Sequence, residues 1–162
     1  MKLKELIKDI PVLECTADPE LEIGSVHYDS RKVTEGSLFV AVTGFASDGN
    51  RFIPMAMEKG AAVVVTAQKP AGDVPYVLVD NDRQALAIIG CNFYGRPADS
   101  MTIIGVTGTN GKTSATLLIK HILETVLGAK VGLIGTMSVM IGQDAVNIAK
   151  TFNEILEIDG II

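Results

Sequence analysis

The sequence predicts an α/β protein: a mixed α/β unit over residues 1–100, then over 101–162 the first β-α-β part of a parallel-sheet domain that is cut short. Three observations carry this. Before residue 95, short apolar runs of strand length alternate with segments of helical spacing. The polar stretch Gly95-Arg96-Pro97-Ala98-Asp99-Ser100 contains the Gly and Pro that break a helix and reads as a linker. Gly108-Thr109-Asn110-Gly111-Lys112-Thr113 then lies between an apolar run and a helical pattern, the setting of a phosphate-binding loop.

In chain order, Lys2-Leu3-Lys4-Glu5-Leu6-Ile7-Lys8 reads as an amphipathic helical start, not as the apolar core of a secretory leader. Residues 25–28 and 38–42 read as strands, 51–59 as a helix, 61–66 and 76–79 as strands, and 83–94 as a helix. Residues 103–106 and 131–134 are near-continuous apolar runs, the pattern of central strands buried on both faces. Between them Leu117, Leu118, Ile122, Leu123, Val126 and Leu127 recur at helical spacing, and Gly128 stands where a C′ residue ends the helix. The strand at 129–134 closes the β-α-β unit. The segment beyond residue 100 offers little to cover these strands, so exposed edges and apolar surface are expected. Residues 152–162, with Ile155, Leu156 and Ile158, fit one short helix or strand.

Composition narrows the function. The chain is 48% hydrophobic and 20% charged, a globular balance, and its formal charge of −5 argues against nucleic acid or an anionic membrane as the main partner. The 14 Lys and Arg residues form no dense cluster, which leaves a small molecule as the expected ligand. No apolar stretch is long enough to span a membrane, and a cytoplasmic protein is expected. Cys15 and Cys91 lack metal-ligand spacing and read as free thiols; His121, on the helix after the loop, reads as solvated or capping.

The loop carries the chemistry. A strand that ends in a Gly-rich turn and feeds a helix aims unpartnered N–H groups, with the positive end of the helix dipole, at one concavity that phosphate oxygens fill. Gly108, Thr109, Asn110, Gly111, Lys112, Thr113 and Ser114 are the candidate ATP-binding residues. The two glycines permit the φ values and close approach, Lys112 brings charge to the β/γ-phosphates and is the candidate catalytic residue, and Thr113 supplies a hydroxyl to Mg²⁺. The strict G-x-x-x-x-G-K-[ST] pattern is not met, because Val106 occupies the place of its first glycine.

The motifs Tyr28-Asp29-Ser30-Arg31-Lys32-Val33, Gly36-Ser37-Leu38-Phe39-Val40-Ala41, Asp48-Gly49, Phe93-Tyr94-Gly95-Arg96-Pro97 and Ile104-Gly105-Val106-Thr107-Gly108-Thr109-Asn110-Gly111-Lys112-Thr113 occur in this order. With them the sequence resembles the Mur ligases of peptidoglycan synthesis. Within that family it is most similar to the members that add the third residue of the stem peptide. The members that add D-Ala-D-Ala share the Asp-Ser/Thr-Arg and Asp-Gly features and are the close competitor. The resemblance implies ATP and Mg²⁺, the sugar nucleotide UDP-MurNAc-L-Ala-D-Glu and an amino acid, either meso-diaminopimelate or L-lysine. It further implies that residues 1–100 hold the UDP end, through Tyr28, Ser30, Phe45, Ala46 and Ser47, and that 101–162 begin the central ATPase domain. Simpler readings stand beside these: Asp29 and Arg31 as a surface ion pair, Asp48-Gly49 as a plain turn, Phe39 and Phe52 as core.

Near the end the chain departs from the family. Where the family carries a Thr-Thr-Pro-like segment on the muramoyl peptide, this chain reads Lys150-Thr151-Phe152-Asn153-Glu154, and only Thr151 matches by position. The family's carbamylated lysine, second magnesium carboxylate and arginine motif have no counterpart here. The chain alone is therefore expected to bind UDP ligands and nucleotide without ligase turnover. A non-catalytic binding module and a generic P-loop NTPase are the alternatives.

Overall fold

The computed structural model describes residues 1–44, 48–135, 139–142 and 144–146. The chain divides into two compact units, Met1–Arg96 and Pro97–Ile162.

The first unit is built on a five-stranded sheet. Its strands are β1 (Val12–Cys15), β2 (Val26–His27), β3 (Ser37–Ala41), β4 (Ala61–Thr66) and β5 (Tyr76–Val79), in the order β1-β5-β4-β3-β2. β2 to β5 run parallel, and β1 pairs antiparallel with β5 at the edge. β3 is buried at all five positions and β4 at five of six, as expected for strands flanked on both sides and covered on both faces. β1 is a half-exposed edge strand that the sequence pattern did not reveal, because Val12-Leu13-Glu14-Cys15 alternates too briefly to stand out.

Helices α1 (Leu3–Leu6), α2 (Ile53–Glu58) and α3 (Asp82–Phe93) cover this sheet. Ile53 and Ala56 of α2 pack on Phe39, Ala41 and Val64, one face of the sheet by strand alternation. Leu38, Val40, Val63 and Val65 point to the other face and are fully buried, where α3 lies over β3 and β4. Asn81 caps α3 by accepting the Gln84 N–H at 3.0 Å. The helix expected at 51–59 begins as a 3-10 turn, Gly49–Phe52, before it becomes α2; Pro54 sits in the first turn, where its missing N–H costs nothing.

In the second unit, helix α4 (Lys112–Leu127) ends at Gly128 in the left-handed region, as the sequence predicts. β6 (Gly132–Ile134), β7 (Val139–Ile141) and β8 (Asp144–Val146) form an antiparallel sheet. The strand expected at 103–106 is not formed: residues 102–108 belong to no strand, and Ile103 and Ile104 are exposed. A parallel strand makes no hydrogen bonds of its own, so an apolar run without neighbouring strands has no ladder to join. The same cause inverts α4. Leu117, Leu118, Ile122, Val126 and Leu127 are exposed, and its buried residue is Lys120. The Lys120 ammonium is satisfied by Glu124, one turn on, and by the Gly142 carbonyl at 2.7 Å. The expected exposure of apolar surface is thus what the second unit shows.

Candidate functional site

The loop before α4 is open to ligand. Gly108 and Gly111 have φ of +151° and +77°, values that a side chain disfavours, so both glycines are required by the backbone. Gly111 is the residue at the N-terminus of α4, and its carbonyl accepts the Ala115 N–H to start the helix. Among the described residues, no partner engages the N–H groups of Thr109 to Ser114. These donors are the orphan amides of a helix start, gathered where the helix dipole is positive.

The Lys112 ammonium folds back over the loop and donates to the carbonyls of Gly108 and Thr109, the latter at 3.4 Å. It is held by neutral acceptors at the mouth of the loop and not buried in the interior. Anionic oxygens arriving there offer it stronger, charge-assisted bonds. Thr113 and Ser114 are exposed beside it. The donor set therefore fits a polyphosphate, and the free Thr113 hydroxyl fits a hard cation such as Mg²⁺, which takes oxygen ligands. Among the described residues no three His, Cys, Asp or Glu side chains gather as a metal site.

In the first unit, the turn after β2 presents Ser30. The Arg31 guanidinium clasps Asp29, with Nη2 to Oδ2 at 2.7 Å and Nε to Oδ1 at 2.9 Å, while the Arg31 N–H donates to Asp29 Oδ1 at 3.0 Å. The guanidinium holds the Asp29 carboxyl below the usual carboxylate range. Asp29 and Arg31 do form the surface ion pair of the simpler reading, and that pair also shapes the turn. Lys59 donates to the Arg31 carbonyl at 2.7 Å. Inside the turn the Ser30 hydroxyl is buried and donates to Met55 Sδ at 3.4 Å, a weak acceptor that a ligand oxygen readily replaces. Tyr28 is half-buried just before it. Phe39 is core, as its simpler reading has it, whereas Phe52 is exposed.

Thr43 and Asp48 bridge across the base of the next loop, and the Gly49 N–H donates to the Val42 carbonyl at 3.0 Å. Asp48 accepts from both the N–H and the side-chain amide of Asn50, and Asn50 Oδ1 accepts from the Thr66 hydroxyl at 2.6 Å. Asp48-Gly49 is more than a plain turn, since it locks this base to the end of β4. Phe45, Ala46, Ser47 and Thr151 lie outside the described residues. A cleft of about 320 Å³ opens beside α2, lined by Ile53, Pro54, Met57, Lys69 and Val74; Tyr28 and Ser30 do not line it.

Sequence reading missed Asn50, Thr66, Asp82 and Arg83. Their only signal was position, each next to a strand end or a helix start, and position does not say which backbone group a side chain will meet.

Two family models match the chain. One, described as Mur ligase family, catalytic domain, covers residues 22–94, and the other, Mur ligase middle domain, covers 106–161. A UDP-N-acetylmuramoyl-L-alanyl-D-glutamate–2,6-diaminopimelate ligase of Alkaliphilus metalliredigens is 44% identical over 163 residues, spanning 99% of this chain and 33% of the relative. The protein of the same name from Clostridium tetani is 42% identical, over 98% of this chain and 33% of its own length. The chain thus spans about a third of the length of the curated relatives it matches. A solved structure of a ligase of that name aligns with 99% of this chain and 34% of its own, at a TM-score of 0.69 and 20% identity, a likeness of fold. The MurF ligase of Thermotoga maritima, solved with ADP, aligns with 62% of this chain and 23% of its own, at a TM-score of 0.50 and 31% identity. With both family models in chain order and relatives of this identity along its whole length, the chain belongs to the Mur ligase family.

Proposed function

We propose that residues 1–100 hold the UDP end of a sugar nucleotide and residues 101–162 hold ATP with Mg²⁺, as part of a ligase that joins 2,6-diaminopimelate to UDP-MurNAc-L-Ala-D-Glu. The observation that carries this is the loop: unengaged amides from Thr109 to Ser114 under the Lys112 ammonium. The names of relatives at 42–44% identity support the acceptor and the amino acid. They favour the third-residue ligase over the ligase that adds D-Ala-D-Ala.

In this reading the loop amides and Lys112 bind the β- and γ-phosphates and stabilise the charge that spreads over the transferring phosphoryl group. Thr113 ligates Mg²⁺, which screens the phosphate charge. A D-Glu carboxylate oxygen attacks the γ-phosphorus and ADP leaves, giving an acyl phosphate; the amine of the incoming amino acid then attacks the acyl carbon and phosphate leaves. Ser30 and Tyr28 contact the uridine diphosphate, with Phe45, Ala46, Ser47 and Thr151 as further substrate contacts. The reaction belongs in the cytoplasm, with no nucleic acid as partner; the charge of −5 supports the latter, and no helix among the described residues is long and apolar enough to cross a membrane. The role given to this chain by itself is binding.

Titration calorimetry of the 162-residue chain tests the reading. Mg·ATP and UDP-MurNAc-L-Ala-D-Glu are each expected to bind, with Lys112→Ala weakening ATP about tenfold or more and leaving the sugar nucleotide unchanged. A chain that binds neither ligand refutes the reading. ATP-dependent amide formation by this chain would overturn the restriction to binding.

A further inference from the structure

Two neighbouring residues at the start of α3 grip one residue at the end of β3. Thr43 donates its N–H to Asp82 Oδ2 at 2.8 Å, and its carbonyl accepts from Arg83 Nη2 at 3.1 Å. Both polar groups of a single backbone residue are thus bound across some forty positions of sequence. Asp82 is buried, in the first turn of α3, where the helix dipole favours an anion. Arg83 is exposed. Secondary structure does not use these two Thr43 groups, since β3 ends at Ala41.

The place matters. β3 and β5 are parallel strands of one sheet, so Thr43 and the start of α3 lie at the same, carboxyl edge, where α/β sheets bind their ligands. The turn bearing Ser30 comes after β2 at that edge. The base of the loop is further tied by the Thr43–Asp48 bridge and by the Asn50–Thr66 bond. An edge pinned at Thr43 does not have to be ordered when ligand arrives, and the ordering cost is removed from binding.

We propose that Asp82 and Arg83 are positioning residues for the sugar-nucleotide site, acting through the backbone of Thr43. The inference rests on the reading of residues 1–100 given above. Asp82 Oδ2 is taken by the Thr43 N–H, so a loss of affinity on its neutralisation that comes through Thr43 is accompanied by faster exchange of that amide, and a lost direct contact is not.

UDP titrations of the 162-residue chain carrying Asp82→Asn, Arg83→Ala or Arg83→Lys test this. Asp82→Asn and Arg83→Ala are each expected to weaken UDP about fivefold or more, with Arg83→Lys recovering part of the loss because it restores one donor. Mg·ATP affinity is expected to stay within about twofold, and the Thr43 amide proton to exchange faster in both weakened variants. Should Asp82→Asn fail to fold, Arg83→Ala decides the matter by its two readouts together: weaker UDP binding without faster Thr43 exchange marks a direct contact of Arg83 and overturns the inference. Faster Thr43 exchange with unchanged UDP affinity makes the clasp purely structural and overturns the inference alone. A wild-type chain that binds no UDP overturns the sugar-nucleotide reading and the inference with it.

Discussion

The side-chain amide of Asn92 closes the end of a helix that is 86 residues away in sequence: it donates to the Leu6 carbonyl at 3.0 Å and to the Lys8 carbonyl at 2.9 Å. Both are carbonyls at the finish of α1 that no further helical turn can satisfy. Asn92 is buried near the end of α3, so this one amide fastens α1 to α3.

Asn92→Leu removes both donors and leaves the Leu6 carbonyl without its buried partner. A loss of about 1–3 kcal/mol is expected, read as a lower urea midpoint with unchanged slope. ATP affinity is expected to be unaffected.

Gly49 presses on the end of β3. A Cβ built there would meet the Val42 carbonyl oxygen at 2.5 Å and the Val42 nitrogen at 2.6 Å, backbone atoms that cannot swing away. Gly49→Ala is expected to cost about 1–3 kcal/mol by overpacking and to weaken UDP binding, checked by thermal melts and by titration.

Gly111 poses a different constraint. Open space surrounds its missing side chain, but its φ is +77°. Gly111→Val therefore brings no clash, only a backbone penalty of about 1–2 kcal/mol, since a β-branched residue resists the left-handed region. Weaker Mg·ATP binding by calorimetry, with UDP binding intact, is the expected outcome.

His27 gives the first unit a pH dependence. Burial pushes its imidazole below the ordinary value, the nearby Lys32 charge adds to this, and Asp29 opposes it. Its Nε2 lies 2.9 Å from the Ser25 hydroxyl. Because the folded value is depressed, the unfolded chain takes up the proton first. The stability that His27 contributes is complete above the ordinary imidazole value and is lost as pH falls through the lower, folded value. His27→Gln is expected to flatten the fall in urea midpoint between neutral and mildly acidic pH. The Asp29 carboxyl is held below its ordinary value by Arg31, so the stability it contributes is lost only as pH falls below that ordinary carboxylate value.

Local chemistry in the chain was enough to specify the glycine turn at Gly108–Gly111, the extent of α4 and its stop at Gly128, and the strands β3, β4 and β5. Each depends on near neighbours: a glycine's φ, a helical spacing of leucines, a run of valines. Short-range signals of this kind are written in consecutive residues. Tertiary structure decided the rest. It made β1 an antiparallel edge, denied residues 103–106 a ladder, and turned the apolar face of α4 outward with Lys120 buried instead. It also brought Asp82 and Arg83 onto Thr43 and Asn92 onto α1. A strand exists only beside a partner, and a buried polar side chain takes whichever backbone group the packing delivers. Neither is encoded in the residues adjacent to it, which is why the loop is legible along the chain and the clasp on Thr43 is not.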